Sequence, residues 1–132
     1  MSENKYIDRA LKNGRAYDLF EALARAKNEE EVKILSEAIC FAKGRNANLY
    51  RDWFACKLNA MKKEGKIDKK TCTGLIDDLS VTVRETGDAL GMVWFARDVD
   101  GADAEFFREA VENCGDEEMI DIFNKEHPIS EK

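Results

Sequence analysis

The sequence predicts an all-α fold, a compact single-domain bundle of about six to eight short helices. Three observations carry that expectation. Only one proline, Pro128, occurs in 132 residues, so no earlier segment contains a residue that breaks a helix by lacking an amide donor. Apolar residues recur at the three-and-four spacing of a helix face rather than the alternation of a strand. Asn, Asp and Gly stand where such faces begin and end, as helix caps and stops. A chain of this length, with 44% hydrophobic residues, fits one domain with a substantial core.

Each element follows in order. Ile7, Ala10 and Leu11 place a first helix over Glu3 to Asn13, stopped by Gly14. Tyr17, Phe20, Leu23, Ala24 and Ala26 mark the apolar side of a second, ending near Lys27. Asn28 opens the run Asn-Glu-Glu-Glu-Val, where its side chain can accept a free helix amide and Glu31 can reach back. Val32, Leu35, Ala38, Ile39 and Ala42 carry that third helix to Gly44. Asn46 or Asn48 caps a fourth, expected to bury Leu49, Trp53, Cys56, Ala60 and Met61, with Tyr50, Phe54 and Leu58 widening the face. So broad a face makes this helix central. Gly65 ends it, and Asp68 caps a fifth with Cys72, Leu75, Ile76, Leu79 and Val83 on one side.

Ser80–Val83 is the least helical stretch by propensity, since β-branched side chains lose rotamer freedom in a helix. No second strand-like run offers it a partner, so it is expected to stay helical. Thr86–Gly87–Asp88 interrupts the chain before Leu90, Val93 and Trp94 resume it. Asp98–Gly101 reads as a loop, Asp103 caps a helix carrying Phe106, Phe107, Ala110 and Val111, and Asp116 starts the last helix, stopped at His127–Pro128.

Charge is segregated along the chain. Residues 1–86 hold 17 Lys/Arg against 14 Asp/Glu, a mildly basic block, while residues 87–132 hold 4 against 13. The net charge of −6 therefore resides wholly in the second block. Such asymmetry bears on partners rather than on fold. No run approaches the ~18 apolar residues of a membrane span, and Met1–Arg15 lacks the apolar centre of a signal peptide. A cytoplasmic protein is expected, with Cys40, Cys56, Cys72 and Cys114 as reduced thiols.

Signatures of chemistry are sparse. His127 is the single histidine and stands beside the chain's end, so it reads as a helix-end residue. No phosphate-cradling glycine loop occurs, and no catalytic residue or cofactor is expected. No pair of cysteines has zinc spacing. Asp98, Asp100 and Glu109 match three positions of a calcium loop, but Asp103 stands where that loop's turn needs glycine. A metal site is therefore not expected.

Two charged regions remain. Asp98, Asp100, Asp103, Glu105, Glu109 and Glu112 lead ten carboxylates packed into Asp98–Asp121. They predict a negative surface attractive to a basic partner, such as the groove of a nucleic-acid-binding protein. The function expected first is accordingly a small acidic protein-interaction module, an adaptor or inhibitor, without enzymatic activity. The alternative is a nucleic-acid-contacting subunit using the Lys57–Lys70 cluster, with Lys62, Lys63, Lys66, Lys69 and Lys70 around a helix–turn–helix-like link. That second helix offers no Arg, Asn or Gln to base edges, which disfavours sequence readout. A carboxylate-dependent enzyme is the third and weakest reading.

Overall fold

The computed structural model describes residues 4–44 and 46–128. Eight helices follow one another: α1 (Lys5–Asn13), α2 (Ala16–Leu23), α3 (Glu29–Phe41), α4 (Ala47–Lys63), α5 (Lys69–Glu85), α6 (Ala89–Asp98), α7 (Ala104–Glu112) and α8 (Glu117–Glu126). No strand occurs among the described residues. The predicted all-α bundle is therefore observed, at the upper end of the expected helix count. Glu3, the expected start of the first helix, lies outside the described residues.

Local chemistry sets the ends. Asn4, Asn28, Asp68, Asp103 and Asp116 each accept a hydrogen bond from a first-turn amide, neutralising donors that have no partner inside the helix. Glu31 reaches back as expected, but past Asn28 to the amide of Lys27 (2.7 Å). Asn46 stands at the start of α4 without a side-chain cap bond, and Asn48 is drawn into the interior instead. At the far end of α4, Gly65 adopts φ 79°, a left-handed conformation open to glycine. The Lys66 amide can then bond the Met61 carbonyl (2.9 Å) and the Gly65 amide that of Lys62 (3.1 Å), which closes the helix.

One contiguous core draws on all eight helices. α4 is its hub, packed by α2, α3, α5 and α6; α7 and α8 pack on α6 and on each other. Ser80–Val83 lies wholly within α5. The Ser80 hydroxyl donates to the Ile76 carbonyl (2.9 Å) and Thr82 to that of Asp78 (3.1 Å), so both satisfy their hydroxyls inside the helix.

The expected face of α4 needs correction. Phe54, Leu58 and Met61 are buried, but Trp53 is 43% exposed, whereas Arg51 (3%) and Asp52 (0%) are inside. Arg51 explains the rotation. Its guanidinium donates to the carbonyls of Ile39 (2.9 Å), Cys40 and Ala42 and to Asn48 Oδ1 (2.8 Å). It thereby caps the negative C-terminal end of α3 with a charge-assisted fork. Trp53, displaced outward, joins Phe20 (ring centroids 5.8 Å) and Tyr50 (5.4 Å), and Tyr50 in turn meets Tyr17 (5.5 Å). The result is a half-exposed aromatic ridge along α2 and α4. Tyr17, expected on the buried side of α2, is 49% exposed at its edge.

Candidate acidic interface

The acidic third begins where α6 ends. Asp98 is the last residue of α6, and buried Val99 carries the chain into the turn before α7. Asp103 fixes the next helix by accepting the Glu105 amide (3.0 Å). Phe107 and Val111 anchor α7 in the core, Phe107 against Phe95 of α6 at 5.8 Å between ring centroids. With that face held inward, Glu105, Glu109 and Glu112 fall at i, i+4 and i+7 on one exposed stripe. α8 repeats the logic: Asp116 caps it, Phe123 is buried, and Glu117, Glu118 and Asp121 are exposed.

All six acids singled out from the sequence are at the surface, but only three share the α7 stripe. Asp103 is engaged as a cap. Asp98 pairs with Arg97 (3.1 Å), which also reaches Glu126 of α8 (3.7 Å). Asp100 offers its carbonyl to Asn59 (2.8 Å).

The two arginines of this region, Arg97 and Arg108, are turned to internal use. Arg108 pairs with Glu105 and donates to Asn124 Oδ1 (2.8 Å) and to the His127 carbonyl. Its guanidinium lies over the Phe123 ring at 5.1 Å, an arrangement that ties α7 to the end of α8. His127 packs its ring on Phe123 (5.0 Å).

Beneath the acidic segment lies a feature the sequence reading missed. Asp52, Cys56 and Asn59 form one stripe of α4 facing residues 98–100. The Cys56 thiol is shared between Asp52 Oδ1 and the Asp98 carbonyl, both at 3.5 Å. Asp52 Oδ2 is buried without a hydrogen-bond partner. Burial, and then the neighbouring Asp98 carboxyl, push the Asp52 carboxyl up to about 7, against weaker opposing pulls from Cys56 and Arg97. Burial and Asp52 together push the Cys56 thiol up to about 12, which makes it a poor nucleophile. The one sequence clue was an Asp directly before the apolar run Trp53–Cys56, a placement that an exposed helix acid can also have.

The lysine cluster is real but dispersed. Lys57, Lys63, Lys66, Lys69 and Lys70 are exposed and Lys62 is half-buried, with Lys66 paired to Glu64 (3.4 Å). α5 buries Cys72, Ile76, Leu79 and Val83, and its outward face places Asp77 and Asp78 directly after Thr73 and Gly74. Two carboxylates midway along that face oppose its insertion into a phosphate-lined groove.

The calcium-like positions diverge: Asp98 ends α6, Asp103 caps α7, and Glu109 lies on the outer stripe. Among the described residues no three His, Cys, Asp or Glu side chains gather to hold a metal, and no helix is long and apolar enough to cross a membrane. The most spacious cleft described, about 540 Å³ between α3 and α5, is lined by Phe41, Cys40, Leu75 and Val81 with Lys33, Glu37 and Asp78 at its edge. No family model, curated protein or solved structure matches the chain.

Proposed function

We propose that the chain is a non-enzymatic, cytoplasmic binding module that engages a basic protein surface through the outer stripe of α7. The observation that supports this most is the alignment of Glu105, Glu109 and Glu112 on one exposed line over the buried anchors Phe107 and Val111. Within this row Glu105 is paired with Arg108, while Glu109 and Glu112 add two further exposed carboxylates, so the row keeps a net negative potential. Such a row attracts and orients a cationic partner.

The test is titration of the full chain with a lysine- and arginine-rich helical peptide at low and moderate salt, by fluorescence anisotropy. The triple variant Glu105→Gln, Glu109→Gln, Glu112→Gln should lose roughly tenfold in affinity, as expected for three rim charges. A control with equal charge change elsewhere, Glu30→Gln, Asp77→Asn, Glu85→Gln, should lose much less. Equal losses in both, or no binding by the parent chain, would refute the reading.

A second reading has one observation in its favour. Lys69 and Lys70 occupy the first turn of α5, where the helix dipole disfavours cations, so their placement answers no need of the helix itself. Phosphate contact at the α4–α5 turn would account for them. Retention on nucleic acid at low salt, with a salt slope reduced by replacing Lys62, Lys63, Lys66 and Lys69, is the corresponding measurement.

A further inference from the structure

The link that carries the acidic segment is gripped from below by a single stripe of α4. Asn59 holds the Asp100 carbonyl (2.8 Å) and Cys56 holds the Asp98 carbonyl (3.5 Å). Asp52 lies beneath the same link, joined to it through the Cys56 thiol, which reaches both Asp52 Oδ1 and the Asp98 carbonyl at 3.5 Å, and the Asp98 carboxyl acts on it from α6. The first two contacts are ordinary. The third sets a second acid near Asp52 where Asp52 is fully enclosed and its Oδ2 has no hydrogen-bond partner. Two carboxylates in contact repel unless one proton lies between them.

The surroundings do not relieve that conflict. Of the elements packed on α4, α6 places charged groups against Asp52, namely Asp98 and Arg97, and Cys56 acts on it from α4 itself. Arg97 approaches from the outer side, engaged with Asp98 Oδ1 (3.1 Å) and with Glu126 of α8 (3.7 Å). It compensates Asp98 more than Asp52, whose buried charge is left without a cation of its own.

We propose that Asp52 and Asp98 form a proton-operated latch, closed while the two carboxyls share one proton and loosened when that proton passes to solvent, which releases the α7–α8 pair from α4. The position gives the pair its leverage. Asp98 is the hinge residue between α6 and the turn into α7, and α7 and α8 reach the rest of the bundle mainly through α6. Charging both acids forces the end of α6 outward to hydrate Asp52. The opening then spreads to the helices that pack mainly on α6. Any effect on partner binding rests on the acidic-interface reading above; the latch does not.

The sign and range follow from linkage. A carboxyl in the unfolded or opened chain titrates near 4, and Asp52 in the closed state near 7. Between those values the closed state keeps a proton that the open state gives up, so closure weakens as pH rises through this window and levels off above it. That span corresponds to at most about a thousandfold in the open–closed ratio.

Hydrogen exchange of the full chain at pH 6 and pH 8, corrected for intrinsic rates, tests the latch without any partner. Protection over residues 98–126 should fall about tenfold at pH 8, with α1 to α3 unchanged. Asp52→Asn replaces the acid by an isosteric donor and should hold the segment equally protected at both pH values. Asp98→Asn, at a partly exposed site, removes the second acid but leaves Asp52 buried; it should shrink the response and serves if Asp52→Asn does not fold. Unchanged wild-type protection, a loss spread evenly over the whole chain, or retention of the full response in either folded variant would each overturn the latch. So would an Asp52 carboxyl midpoint below 5 by NMR. Failure of the basic peptide to bind at either pH would count against the interface reading alone.

Discussion

Replacing Gly91 by alanine should destabilise the protein, although the same change in most helices has the opposite effect. Glycine in a helix interior costs about 0.5–1 kcal/mol relative to alanine, and Gly91 lies inside α6 without a positive φ. Backbone preference alone therefore favours the substitution. Space decides against it. A Cβ at Gly91 would sit 2.7 Å from Asn48 Nδ2, 2.9 Å from Asn48 Cβ and 3.0 Å from Asp88 Oδ2. Asn48 cannot turn aside cheaply: its amide donates to Thr86 Oγ1 (2.9 Å) and Asp88 Oδ2 (3.3 Å), and its oxygen accepts from Arg51 (2.8 Å). Overpacking of this kind costs about 1–3 kcal/mol, and each displaced hydrogen bond about 1 kcal/mol more. The net expectation is a loss of about 1–3 kcal/mol. Urea denaturation measures it, with Gly74→Ala as the internal control. Gly74 lies in exposed α5 with nothing within 4 Å of its virtual Cβ, and should gain about 0.5–1 kcal/mol. On an Asn48→Ala background the cost of Gly91→Ala should shrink in part, since the Nδ2 contact is removed while the Cβ contact at 2.9 Å stays. If Gly91→Ala raises the urea midpoint as Gly74→Ala does, the close approach of α4 to α6 is refuted.

Other consequences can be checked in the same preparations. Arg51→Met keeps the volume of the stem but strands the closing carbonyls of α3, and should cost about 3 kcal/mol by urea denaturation. Phe107→Ala should cost about 3–5 kcal/mol and weaken peptide binding by loosening the seat of the α7 glutamates. Cys56, with its thiol pushed up to about 12, and buried Cys72 should both resist iodoacetamide at pH 8 in the native state. Mass spectrometry should find all four cysteines labelled once the chain is unfolded. The stability advantage of Asp52→Asn over wild type should grow between pH 5 and pH 7 and then level off, because the wild-type fold loses a bonding proton over that range.

The parts of the fold legible in the sequence were those decided locally. Asn28, Asp68, Asp103 and Asp116 cap helices because the capping bond spans two or three residues, and Gly65 ends α4 because the left-handed turn it needs is its own. The aligned carboxylates were also legible as a cluster, since a helix phase fixed by Phe107 and Val111 determines where Glu105, Glu109 and Glu112 fall. Which face of α4 points inward was not. Tyr50 and Trp53 are more hydrophobic than Arg51 and Asp52, and periodicity assigns the core to the larger apolar pair. What overrides it lies on another helix: the unpaired carbonyls at the end of α3, which no reading of α4 alone can supply.

Arg51 and Asp52 also show why neighbouring opposite charges need not be partners. Consecutive residues on a helix project about 100° apart, so the two side chains enter different parts of the interior. Arg51 meets four oxygen acceptors and the negative end of a helix dipole, surroundings that hold a cation whatever the pH. Asp52 meets a thiol and a second acid, surroundings that favour a carboxyl only while a proton remains there. The first contact locks α3 to α4 permanently. The second fastens α4 to the acidic segment conditionally. A single dipeptide thus divides the bundle into a core of fixed geometry and a charged helical pair whose attachment answers to proton concentration.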